Sequence, residues 1–228
     1  MIANKKEFTL GLGMMAAFIV VLIIFFMPVF NGRNGMDYLD NLYNSIAKGS
    51  AYFIPGLQKD IEPFLGHQVT VEFKMGSEER AAQTVALFTQ TGAEVSVDGE
   101  KVTVTGGLGK ILAVAVADAD AMYRNDGAAL SSKYGYDERT ALYNWFTAIK
   151  GMEKNLTKQK LFPEAKILAT VNSKGIETSY NFYTIEAQKI TDRLGLVSFS
   201  LIFYVIYTMW YGYAIMFMFE GWGLKLSH

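Results

Sequence analysis

The residues that could do chemistry are few, and most of them fail on spacing. Thr105-Gly106-Gly107-Leu108-Gly109-Lys110 follows an alternating run and opens a helical pattern, as phosphate cradles do. A Walker A loop needs a glycine at position 104 and a serine or threonine after the lysine; valine and Ile111 stand there instead. The dinucleotide fingerprint fails because its third glycine would fall on Leu112. A plain strand-to-helix turn is therefore expected. Asp118 and Asp120, with Asn125-Asp126-Gly127, offer oxygens for calcium, but Met122 breaks the fixed offsets of such a loop. Solvated aspartates at a helix end are expected there. His67 stands without a Cys, Ser or Asp arrangement around it in sequence and reads as a surface residue. Asn155-Leu156-Thr157 matches a glycosylation acceptor, which matters only in a eukaryotic secretory setting.

Composition excludes more. The chain has no cysteine, which removes disulfides, iron–sulfur clusters, covalently attached haem and thiolate zinc. Its two histidines, His67 and His228, lie outside the apolar stretches, so this chain alone cannot hold a bis-histidine haem in a bilayer. No cofactor, metal or catalytic residue is assigned. The net charge of −1 gives no basic excess for nucleic acid.

The dominant feature is apolar. Leu194 to Phe219 carries no charge, and neither does Phe8 to Gly32. A helix over the first of these reaches roughly 39 Å, enough to cross a hydrocarbon core with tilt. The N-terminal run is longer than a signal-peptide core and ends in Met-Pro-Val-Phe-Asn-Gly, so an uncleaved anchor is expected. Neither run contains an Asp, Glu, Lys, Arg or His for an ion pathway. Gly11 and Gly13 are too close together to form a small-x-x-x-small pair.

The expected architecture is a membrane protein: two transmembrane helices, one at each terminus, flanking one α+β extramembrane domain. Its parts are a head at 1–7, a span at 8–32, a helical connector at 33–66, a domain at 67–193, a span at 194–219 and a tail at 220–228. Lys5 and Lys6 before the first span favour cytoplasmic termini, against Lys189 and Arg193 before the second. The first span usually dominates, so the domain is expected outside the cytoplasm, on the periplasmic side of a bacterial inner membrane.

Within the domain, Val69, Val71 and Phe73 alternate as in a strand. Ser77 caps a helix with Ala81, Ala82, Val85 and Phe88 inward. Asp98-Gly99 turns a hairpin. Leu108, Ile111, Leu112, Ala115, Val116, Ala119 and Met122 line a second helix. This is a β-α-β-β-α unit with helices on one sheet face. A third helix from Asp137 turns Leu142, Trp145, Phe146 and Ile149 inward; the lysine-rich 151–160 is a solvated loop or helix end. The runs at 166–171 and 176–183 around Asn172-Ser173-Lys174-Gly175 read as a second hairpin, and 184–193 as a helix leading into the last span.

The last span is rich in aromatics, and Tyr204, Tyr207 and Tyr211 share one helical face. A hydroxyl deep in hydrocarbon wants a partner, so this face is expected to pack on another membrane helix. The functional expectation is a non-catalytic accessory or scaffold subunit of a membrane complex, its partners being other integral membrane subunits and the bilayer. The alternative is a membrane-anchored sensing or ligand-binding module, disfavoured because 1–7 and 220–228 are too short for an output domain. An enzyme ranks third.

Overall fold

The computed structural model describes residues 2–224. The fold is mostly helical with one three-stranded sheet. The chain forms two compact units. One joins Met1–Gly49 to Ala187–His228; the other is Ser50–Glu186.

The first unit contains α1 (Lys5–Phe26), α2 (Gly35–Ser50, whose last residue belongs to the second unit) and α10 (Leu194–Trp222). Asn4 caps α1 by accepting from the backbone N–H groups of Lys6 and Glu7. α1 stops before Pro28, whose ring would clash with the preceding turn. Asn31 (φ 53°) and Gly32 (φ 78°) then reverse the chain, so the helical part of 8–32 is shorter than its apolar run. Two helices, Lys5–Phe26 and Ile190–Trp222, are long and apolar enough to cross a membrane.

α1 and α10 pack antiparallel along a seam with a seven-residue repeat. Gly11, Phe18 and Phe25 form its α1 side; Tyr207, Ala214 and Gly221 form its α10 side, and Ser200, buried in phase with them, meets α2. A period of seven keeps one stripe of each helix facing the other. Two glycines set how closely the backbones approach. A Cβ on Gly11 would lie 2.6 Å from the Met218 nitrogen, and one on Gly221 would lie 2.4 Å from the Phe8 nitrogen. The Trp210 indole N–H donates to the Met14 carbonyl at 3.2 Å, and the Asn4 N–H donates to the Gly221 carbonyl. Tyr43 on α2 shares a 2.6 Å hydrogen bond with Ser200.

The second unit begins with α3 (Ile54–Ile61) and a 3₁₀ turn at Glu62–Phe64. Then come β1 (Gln68–Lys74), α4 (Glu78–Thr89), β2 (Glu94–Asp98), β3 (Lys101–Gly107) and α5 (Leu108–Tyr123). The β-α-β-β-α order is as expected. The sheet order is β1-β3-β2 and all pairs are antiparallel, with Val71 opposite Val104 and Val97 opposite Val102. Val69, Val71, Phe73, Val102 and Val104 are buried while their neighbours face out, so the core lies on one sheet face. Gly99 takes the positive φ (57°) that the hairpin requires.

The unit continues with α6 (Gly127–Tyr134), α7 (Glu138–Lys158), α8 (Phe162–Val171), a π-helical turn at Asn172–Glu177 and α9 (Thr178–Phe182). Trp145 of α7 is fully buried against Phe88 of α4, with ring centroids 5.2 Å apart.

Several expectations are corrected here. The second hairpin does not form: both of its runs are helical. Pro163 at the start of α8 supplies a φ suited to a first turn, and Ala165, Leu168 and Val171 bury at helical rather than alternating spacing. The Asn172-Ser173-Lys174-Gly175 string, read as a tight turn, widens one helical turn instead of reversing the chain. The 184–193 stretch is not a continuous helix. Thr184 sits at φ 73°, and only Ile190–Arg193 forms a 3₁₀ turn ahead of α10. α7 runs on to Lys158, so most of 151–160 is helix, and Phe146 is only partly buried. On α4 the inward face is Ala81, Thr84, Leu87 and Phe88; Ala82 points out. α6 begins at Gly127, directly after the helix end expected there.

Candidate functional site

The aromatic face of α10 divides in two. Tyr207 stacks on Phe18 of α1 with centroids 4.4 Å apart, and Tyr211 lies 5.1 Å from the same ring. The chain's own first helix therefore occupies much of that face. Tyr204 is 66% exposed. Phe199, Phe203 and Tyr207 form a ladder of stacked rings at four-residue spacing, 6.0 and 5.8 Å apart.

Beside Tyr204 the three helices leave a groove of about 340 Å³, lined by Leu22, Phe26, Leu39, Phe203, Tyr204 and Tyr207. A second hollow of about 200 Å³ adjoins it at Phe25, Leu39, Ser200 and Phe203. The walls are almost wholly apolar. The Ser200 hydroxyl is bonded to Tyr43 and to the Val197 carbonyl, and Thr208 donates to the Tyr204 carbonyl. Among the described residues the Tyr204 and Tyr207 hydroxyls make no hydrogen bond.

In the second unit the residues weighed as catalytic or metal-binding have other partners. The glycines of 105–110 serve close packing. A Cβ on Gly106 would lie 2.7 Å from the Ala93 side chain, and one on Gly109 would lie 2.5 Å from the Leu65 backbone. The chain at Phe64 and Leu65 thus covers the start of α5, where a cradle would need open N–H groups. His67 pairs with Glu164 at 3.0 Å. Asn155 donates its side-chain amide to the Glu72 carbonyl within α7, a use unlike that of a glycan acceptor. Among the described residues no group of three or more His, Asp or Glu side chains is placed to hold a metal.

Asp118 and Asp120 go different ways. Asp120 faces out to Arg124 and Tyr52. Asp118 is buried and accepts from Trp145 Nε1–H at 2.8 Å, from Lys133 Nζ at 2.8 Å and from the Tyr134 hydroxyl. Burial, and then the Asp118 charge, pushes the Tyr134 hydroxyl well above the usual tyrosine range, so it stays a donor. One carboxylate so ties α5, α6 and α7 together. A second polar cluster, also unread in the sequence, joins Arg80 to Asn144 and Thr147 beneath the Tyr143 ring. Neither leaves a free acid or base beside a cavity; both are structural.

The comparisons add no relative: no family model, no curated protein and no solved structure matches this chain.

Proposed function

We propose that the protein is a non-catalytic subunit of a larger membrane complex, with α1 and α10 inserted in the bilayer as an antiparallel hairpin and the second unit on the extracytoplasmic side. One observation carries this reading: the groove at Tyr204. The residue lies about 15 Å along a helix of about 43 Å, so its ring falls within the apolar length that a bilayer core of about 30 Å would cover. An unbonded hydroxyl there is costly. A partner helix laid in the groove supplies the acceptor and covers Phe26, Met36 and Tyr204. The gain comes from packing and interhelical hydrogen bonds, since lipid tails are as apolar as the groove.

Co-purification from native membranes tests it. Tyr204→Ala with Phe26→Ala is expected to insert as well as wild type and to lose its stoichiometric partners. Equal recovery of the same partners would make the groove a lipid-facing surface and end the reading. The sensing-module alternative has no comparable observation behind it.

A further inference from the structure

The second unit carries a charged groove that none of the above uses. It lies between β1 and the later half of α7 and has a volume of about 450 Å³. Its rim holds Lys74, Lys150, Lys154 and Lys158. The three α7 lysines are spaced by four, so they form one ladder with about 6 Å of rise per step. Lys150 lies over the Phe146 ring, 5.4 Å from its centroid. Among the described residues none of the four makes an ion pair. The lining carboxylate Glu72 is turned to Lys101 at 3.5 Å. Like charges at four-residue spacing destabilise a helix slightly. They persist here on a chain of net charge −1.

The floor is made by Phe73 and Gly151. A Cβ at Gly151 would come within 2.6 Å of the Phe73 Cβ, so glycine lets the helix sit down on the strand. The outer edge of β1 is closed. Asn155 and Gln159 donate their amides to the Glu72 and Thr70 carbonyls at 2.9 Å each. A ligand therefore cannot add a strand here; it must be read through its side chains.

We infer that this groove docks an extended, acidic segment of a partner protein, with carboxylates at alternate positions. An extended chain places same-face side chains about 6.6 Å apart, close to the step of the lysine ladder. The ladder's length of about 12 Å matches about four residues of such a segment. Opposite charge supplies the complementarity and the on-rate. A nucleic acid is disfavoured by the net charge of −1 and by a groove lining without arginine. The inference rests on the subunit reading, because it names the chemistry of one partner's docking segment.

The test uses the full chain in a neutral detergent and a fluorescein-labelled peptide of alternating Asp and Ser, read by anisotropy. Wild type is expected to bind saturably, and more weakly as salt rises. The variant Lys150→Gln, Lys154→Gln, Lys158→Gln is expected to bind at least about tenfold more weakly. The control variant Lys59→Gln, Lys110→Gln, Lys166→Gln is expected to bind as wild type. Absence of saturable binding to wild type overturns the inference, as does an equal loss in both variants. Inorganic polyphosphate or oligothymidylate displacing the probe at lower concentration than unlabelled peptide overturns the choice of a peptide. Pull-down from native membranes separates this from the subunit reading. If the peptide binds but wild type recovers no partner, the subunit reading fails alone. If partners are recovered and the peptide does not bind, the groove fails alone.

Discussion

Asp118 shows how far a residue can stand from its sequence neighbourhood. In the string Asp118-Ala119-Asp120 the two carboxylates look equivalent, and both invite a reading as solvated or metal-binding oxygens. On a helix, however, residues two apart point some 200° from one another, so one can be buried while the other meets water. The partners of Asp118 come from α6 and α7, and no local pattern announces them. The two positions are expected to respond very differently to truncation. Asp118→Ala leaves the Trp145 N–H and the Tyr134 hydroxyl buried without their acceptor and is expected to cost about 3 kcal/mol. Asp120→Ala removes an exposed pair with Arg124 and is expected to cost under about 1 kcal/mol. Thermal unfolding of the purified chain measures both. Equal shifts in melting temperature would show that the Asp118 cluster does not tie the three helices.

Legibility was highest where local period and burial agree. β1, the Asp98-Gly99 hairpin and α5 could be read in place because one alternating face or one helical stripe coincides with the core. The stretch from Phe162 to Phe182 misled because short apolar runs flanking a turn-like string fit either period, and packing on α7 decided for helix. The α1–α10 seam was missed for a different reason. Searching for paired small residues within one helix rejects Gly11 and Gly13, yet the close contact of Gly11 is with Ala214 and Met218 at the other end of the chain. A seven-residue repeat through Gly11, Phe18 and Phe25, matched by Ser200, Tyr207, Ala214 and Gly221, was the available signal. The two glycines make a paired test. Gly11→Val forces the backbones apart and is expected to lower the melting temperature in detergent by several degrees, because a Cβ there sits inside contact distance of backbone. A Cβ at Gly13 would meet nothing within 4 Å, so Gly13→Val is expected to change little. Equal effects from both would refute the seam.

At the scale of the whole molecule, the antiparallel seam constrains topology more firmly than the charges do. Lys5 and Lys6 argue for one orientation, and Lys189 and Arg193 for the other. The packing of Phe8 on Gly221 and of Phe25 on Phe203 requires only that α1 and α10 run in opposite directions. With both helices in a bilayer, Asn4 and Gly221 then emerge on one side and the segment between the helices on the other. The absence of native cysteine makes this measurable with single substitutions and a membrane-impermeant maleimide. Val97 on β2 and Ala3 before α1 are both exposed, so access to either depends on the side of the membrane. With the second unit on the extracytoplasmic side, as proposed, Val97→Cys is expected to label in intact cells, and Ala3→Cys only after the membrane is permeabilised. The reverse pattern would invert the orientation while keeping the hairpin. Labelling of both sites in intact cells would place the second unit and the start of α1 on the same side, which no antiparallel two-span hairpin allows.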